Sequence, residues 1–139
     1  MFRLSLGLCV GLLSVAAHAA SCQDQTGNYV SPDGLELQIR QNGCESLSRI
    51  VIKDGVVQVT ENIIMDGKYR RLAGMPQFLT AFTFDDAYRI GNAKDMKTNI
   101  LVAIFNSRVS ERGDWVQQTI KFDGKGNVLW SKTQTFRRK

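Results

Sequence analysis

Apolar and polar residues alternate along much of this chain with the two-residue period of a strand, and the alternation breaks at turn dipeptides. Leu35, Leu37 and Ile39 fall on one side, with Glu36, Gln38 and Arg40 opposite. Residues 47–53 and 56–60 flank Asp54-Gly55, a pair that tolerates the positive φ of a tight hairpin turn. Residues 63–65 and 68–72 flank Asp66-Gly67 as a second expected hairpin, and residues 115–122 and 127–136 flank Asp123-Gly-Lys-Gly126 as a longer one. Asp33-Gly34 and Asn42-Gly43 are further turn pairs, and residues 27–30 form a short first strand. No window holds a helical period. The spacing predicts an all-β domain, an antiparallel up-and-down barrel of about 8–9 strands, with a β-sandwich as the alternative because both use the same alternation.

Two segments depart from the rhythm. Residues 88–98 hold Gly91, Asn92, Lys94, Asp95 and Lys97 and are expected to form a loop or one helical turn. Ala73-Gly74-Met75-Pro76 reads as a connection, because Pro76 has no amide proton to give to a ladder. Residues 78–84 and 99–105 are apolar on both faces. Phe78, Phe82 and Phe84 share one face, with Leu79 and Ala81 opposite; Leu101, Ala103 and Phe105 oppose Ile100, Val102 and Ile104. A second layer, a loop, a partner or a ligand is expected to cover the extra face.

The N-terminus changes the composition. Arg3, an apolar run over residues 4–17 and Ala17-His18-Ala19 follow the order of a secretory signal peptide, so residues 1–19 are expected to be removed, leaving a single domain over residues 20–139. No second apolar run reaches spanning length, so the mature protein is expected to be exported, periplasmic or secreted, and not transmembrane. Cleavage takes away Cys9 and the lone histidine, and leaves Cys22 and Cys44, which most simply pair as a disulfide in an oxidising compartment.

Charge is placed unevenly. Residues 20–114 carry 11 basic and 12 acidic side chains, whereas residues 115–139 carry six basic and one acidic. Lys132, Arg137, Arg138 and Lys139 are therefore the residues expected to meet an anionic partner, such as a lipid headgroup or an envelope protein, among the aromatics Trp115, Phe122, Trp130 and Phe136. Export makes nucleic acid a poor partner. Arg70 and Arg71 would point to opposite faces of one strand, which makes Arg70 a candidate clamp for an acidic group at the barrel mouth.

Chemistry is sparse. A Ser or Cys nucleophile needs a base, most often His, and the mature chain has none. Zinc and copper favour His and free Cys, and Lys125 spoils the oxygen spacing of the Asp123–Asn127 turn for calcium, so neither a metal nor a cofactor is expected. Paired carboxylates can act without His; Glu61, Asp66, Asp85, Asp86, Glu111 and Asp114 are the candidates for a hydrolase of that kind.

Gly27-Asn28-Tyr29, followed by the strand at Leu35 to Ile39, resembles the opening of calycin-type barrels, the lipocalin-like and avidin-like proteins, with Tyr where those have the Trp of Gly-x-Trp. The resemblance covers about twenty residues plus the strand rhythm. It implies a closed barrel with an interior ligand, and a late Arg, here Arg137 or Arg138, stacked on that aromatic. The rhythm also resembles small periplasmic lysozyme-inhibiting barrels, although a basic chain is a poor match for a basic enzyme. The expected function is an exported, non-catalytic binding protein holding a small apolar or amphipathic ligand, with Phe82, Phe84, Leu101, Phe105, Arg70 and Trp130 as candidate contacts. An envelope interaction module using the basic C-terminal hairpin is the alternative, and the carboxylate-dependent hydrolase is the third class.

Overall fold

The computed structural model describes residues 21–139. The expected signal segment lies outside the described residues, apart from which the chain forms strands and turns. The strands are β1 (Gly27–Val30), β2 (Glu36–Asn42), β3 (Ser46–Lys53), β4 (Val56–Ile64), β5 (Arg70–Leu72), β6 (Met75–Asp85), β7 (Tyr88–Asp95), β8 (Leu101–Val109), β9 (Trp115–Phe122) and β10 (Val128–Arg138). They make one sheet in the order β4-β3-β2-β1-β10-β9-β8-β7-β6-β5, antiparallel at every step. The chain therefore runs up and down around a barrel. Its first and last strands are joined by Tyr29 opposite Arg138 and Val30 opposite Arg137. No helix of the described residues is long and apolar enough to cross a membrane.

The ring is nearly closed, and the seam falls between β4 and β5. This corrects the expectation at Asp66-Gly67. The flanking strands do not pair with each other, and Gly67 instead donates its N–H to the Phe82 carbonyl at 2.9 Å. Asp54-Gly55, by contrast, turns as expected, with φ of 51° and 75° joining β3 to β4. A second correction concerns residues 88–98, most of which form β7 and not a loop. The inward positions of β7 are Arg89, Gly91 and Ala93, all buried, so the strand lacks the large apolar side chains that mark its neighbours. Gly91 meets a steric need. A Cβ at that position would lie 2.3 Å from the Phe82 ring, which packs directly on the glycine backbone. Pro76 is exposed within β6, and the β5–β6 register shifts between Leu72–Met75 and Arg70–Thr80, where Pro76 interrupts regular pairing.

The two doubly apolar runs are not covered by a second sheet. Phe82 and Phe105 are on the inner side, whereas Val102 and Ile104 stay half-buried on the outer side and Ile100 is exposed. One end of the barrel is closed by a core of Tyr29, Leu37, Ile39, Leu47, Ile63, Trp115 and Phe136. The N-terminal segment plugs this end and is tied down by the Cys22–Cys44 disulfide, whose Cα atoms lie 5.6 Å apart. In the chain-entropy picture, closing a loop of this length stabilises the fold by about 3 kcal/mol.

Candidate functional site

The interior combines a polar network below with a cavity above. Gln25 is fully buried in the plug. Its side-chain oxygen accepts the Trp115 indole N–H at 3.1 Å and the Ser107 hydroxyl at 3.3 Å, and its amide donates to the Ser107 carbonyl at 2.9 Å. The Tyr29 hydroxyl donates to the Gln25 carbonyl at 2.9 Å. Each buried polar group here has a partner, which is what allows polar atoms under a barrel floor without a large desolvation loss.

Arg89 rises from this floor. Its Nε donates to the Ser107 hydroxyl at 3.0 Å, and its guanidinium carbon lies 5.5 Å from the Phe82 ring centre and 5.6 Å from that of Trp115. The residue is 2% exposed. Burial pulls the guanidinium from its ordinary value down to about 9, the nearby Arg49 charge adds to this, and Glu61 opposes it. Arg49 on β3 sits opposite Glu61 on β4 and is ion-paired with it. Glu61 also accepts the Gly74 N–H at 3.2 Å, so it spans the seam to the β5–β6 turn.

The two arginines border one cavity of about 190 Å3, lined by Arg49, Met75, Phe82, Arg89, Phe105 and Gln117. Residues from β3, β6, β7, β8 and β9 can share a space only across the barrel interior. The sheet register fixes how they are stacked. Arg89, Ser107 and Gln117 form one row across β7, β8 and β9, and Gly91, Phe105 and Thr119 form the next. With no side chain at Gly91, the Phe82 and Phe105 rings lie nearly parallel, 6.4 Å between centres. The result is an aromatic wall beside two guanidinium groups. Arg49 Nε and Arg89 Nη1 are buried and have no hydrogen-bond partner. Arg49 keeps 19% of its side chain exposed, so the cavity touches solvent on that side.

The expected site residues are distributed unequally. Phe82 and Phe105 line the cavity, and Phe84 packs against the core beside them. Leu101 is half-buried and Trp130 is exposed at 46%; neither lines the cavity. Arg70 is half-buried and pairs with Asp66 at 2.5 and 2.6 Å, which holds the Asp66 carboxyl well below the usual carboxylate range. The arginines that line the cavity are Arg49 and Arg89.

The basic tail is partly spent within the protein. The Arg138 guanidinium lies 5.6 Å from the Tyr29 ring centre and donates to the Gly113 and Thr26 carbonyls, each at 3.2 Å. Lys139 pairs with Glu36 at 2.7 Å, and Arg137 stands opposite Val30. Lys132 is exposed, on a hairpin whose Val128, Leu129 and Trp130 are exposed as well.

Among the carboxylates, Glu61 is the buried one of the described residues. Asp85 and Asp86 lie at the β6–β7 turn, and Glu111 and Asp114 in the β8–β9 turn. Neither turn contributes a residue to the cavity that Arg49 and Arg89 line. No group of three or more potential metal ligands occurs among the described residues.

Fold and site together define a small ten-stranded antiparallel barrel with a charged interior cavity. No family model, curated protein or solved structure matches the chain.

Proposed function

We propose that this protein is an exported, non-catalytic binding protein that holds a small amphipathic molecule inside its barrel. The cavity of about 190 Å3 carries the reading, because it pairs an apolar wall of Met75, Phe82 and Phe105 with polar groups at Arg49, Arg89 and Gln117. The apolar wall gains from shedding water, and the polar groups orient what binds. The Cys22–Cys44 disulfide fits an oxidising compartment.

The volume limits the ligand. An apolar cavity of about 150 Å3 accepts a benzene ring, and drug-sized sites run from about 300 Å3 upward. The occupant is therefore a small molecule, with any longer part reaching past the cavity. Native mass spectrometry of the protein purified from its own compartment tests the reading. A retained small-molecule adduct is expected, and its loss on mild unfolding. Mass equal to the bare chain in every preparation, together with failure of added small aromatic or short-chain compounds to bind, contradicts it.

A further inference from the structure

We infer that the interior cavity selects a small monocarboxylate, with the carboxylate held between Arg89 and Arg49 and an apolar tail of ring size lying against Phe82 and Phe105. The inference rests on the proposed binding function and adds the chemical class of the ligand.

Three observations converge on an anion. Arg89 Nη1 and Arg49 Nε are both buried without a hydrogen-bond partner, and both residues line the same cavity. Donors of this kind are usually satisfied by protein or by ordered water, and two unsatisfied ones on residues that line one cavity mark a place for an acceptor. The charge count agrees. Two guanidinium groups share one carboxylate, Glu61, which is already engaged by Arg49 and by the Gly74 N–H. One positive charge is left over in a buried setting. Finally, Arg89 is held in place before any ligand arrives, by Ser107 below and by the Phe82 and Trp115 rings at 5.5 and 5.6 Å. A preplaced planar fork loses little freedom on binding.

The surplus of one charge also separates the anion classes. A carboxylate neutralises the cluster. A phosphate or phosphate ester carrying nearly two charges would exceed it and would place a negative charge beside Glu61 with no cation to match. A carboxylate is also planar and accepts two parallel N–H bonds from a guanidinium. The tail follows from shape. The two rings stand 6.4 Å apart and nearly parallel over Gly91, so a flat ring or a chain of similar bulk is what the wall admits.

Calorimetry on the mature disulfide-bonded protein tests this with benzoate, benzyl alcohol and phenyl phosphate at pH 7. Benzoate is expected to bind about tenfold or more tightly than either of the others, since a charged hydrogen bond lost from a buried site costs roughly that factor or more. Arg89→Met should bring benzoate down to the level of benzyl alcohol and leave benzyl alcohol within about twofold. Arg89→Lys, which keeps the charge and loses the fork, should fall between the two. Fluorescence of the buried Trp115 confirms that each variant is folded. Equal binding of benzoate and benzyl alcohol, or unchanged benzoate binding in Arg89→Met, overturns the carboxylate inference and leaves the binding reading standing. Tighter binding of phenyl phosphate overturns the choice of a monoanion. Failure of all three to bind overturns the carboxylate inference, and with a bare-chain mass in native mass spectrometry it removes the binding reading as well.

Discussion

Glu61→Gln will cost the protein about 3–5 kcal/mol of stability, the penalty typical of removing one partner from a buried ion pair. Glu61 has 2% of its side chain exposed, pairs with Arg49 and holds the Gly74 N–H across the seam. Glutamine is nearly the same shape and still accepts a hydrogen bond from Gly74, so the cost comes from charge and not from a hole. It leaves Arg49 and Arg89 around one cavity with no anion. Urea unfolding at neutral pH measures the loss, seen as a lower midpoint with an unchanged slope. A small carboxylate in solution should restore part of it, because binding to the folded state adds stability by mass action. A loss below about 1 kcal/mol would mean that water already screens this cluster as it screens a surface pair.

Arg89→Met is expected to do the opposite in the absence of ligand. The ligand-free variant should keep its stability within about 1 kcal/mol of the parent or exceed it, since replacing buried charge by apolar volume is often neutral or favourable. What is lost is known. Ser107 loses a bond from Arg89 Nε but still reaches Gln25, and the contacts to Phe82 and Trp115 give way to a thioether that packs well on rings. What is gained is relief of a guanidinium that burial draws down to about 9. A base whose folded value is depressed binds fewer protons folded than unfolded between about 9 and its ordinary value, so its penalty is full at neutral pH and fades as pH rises through that window. The advantage of the variant over the parent should therefore shrink above pH 9. A variant weaker by about 3 kcal/mol would show that Arg89 holds the barrel together and is not kept for binding.

The interior charges were only partly legible in the sequence, where large apolar side chains obscured them. Strand β3 carries Leu47, Arg49 and Val51 in one phase, and β4 carries Val59, Glu61 and Ile63 in one phase. A single Arg and a single Glu, each in the inward phase of its strand, sit directly opposite one another because the β3–β4 register shifts by one residue between Val51 and Ile52; the turn at Asp54-Gly55 by itself would set Arg49 against Thr60. Alternation gave the inward phase of each residue, and the bulge that pairs them left no mark in the pattern. The strand carrying Arg89 was harder to see. With Arg89, Gly91 and Ala93 facing in, β7 has its polarity reversed relative to its neighbours, and it reads as a loop until the Phe82 ring is seen to need the space above Gly91. Phe82 and Phe105 stood out because each lies in a long apolar run. Arg70 lies in the same strand phase as the buried Leu72 and opposite the buried Thr80, and it pairs with Asp66 four residues away without lining the cavity of Arg49 and Arg89. The closed end was clearer. Tyr29 is fully buried in that end, and the Arg138 guanidinium lies 5.6 Å from its ring centre.

The barrel interior as the place of binding is tested most directly by proton NMR contacts between bound benzoate and the protein. Cross-peaks are expected from the benzoate ring to the Phe82 and Phe105 rings and to the Met75 methyl group, together with a shift of the Arg89 Nε–H signal. Cross-peaks only to the exposed Val128, Leu129 and Trp130, with the Phe82, Phe105 and Arg89 signals unmoved, would place binding on the outer hairpin and contradict the account.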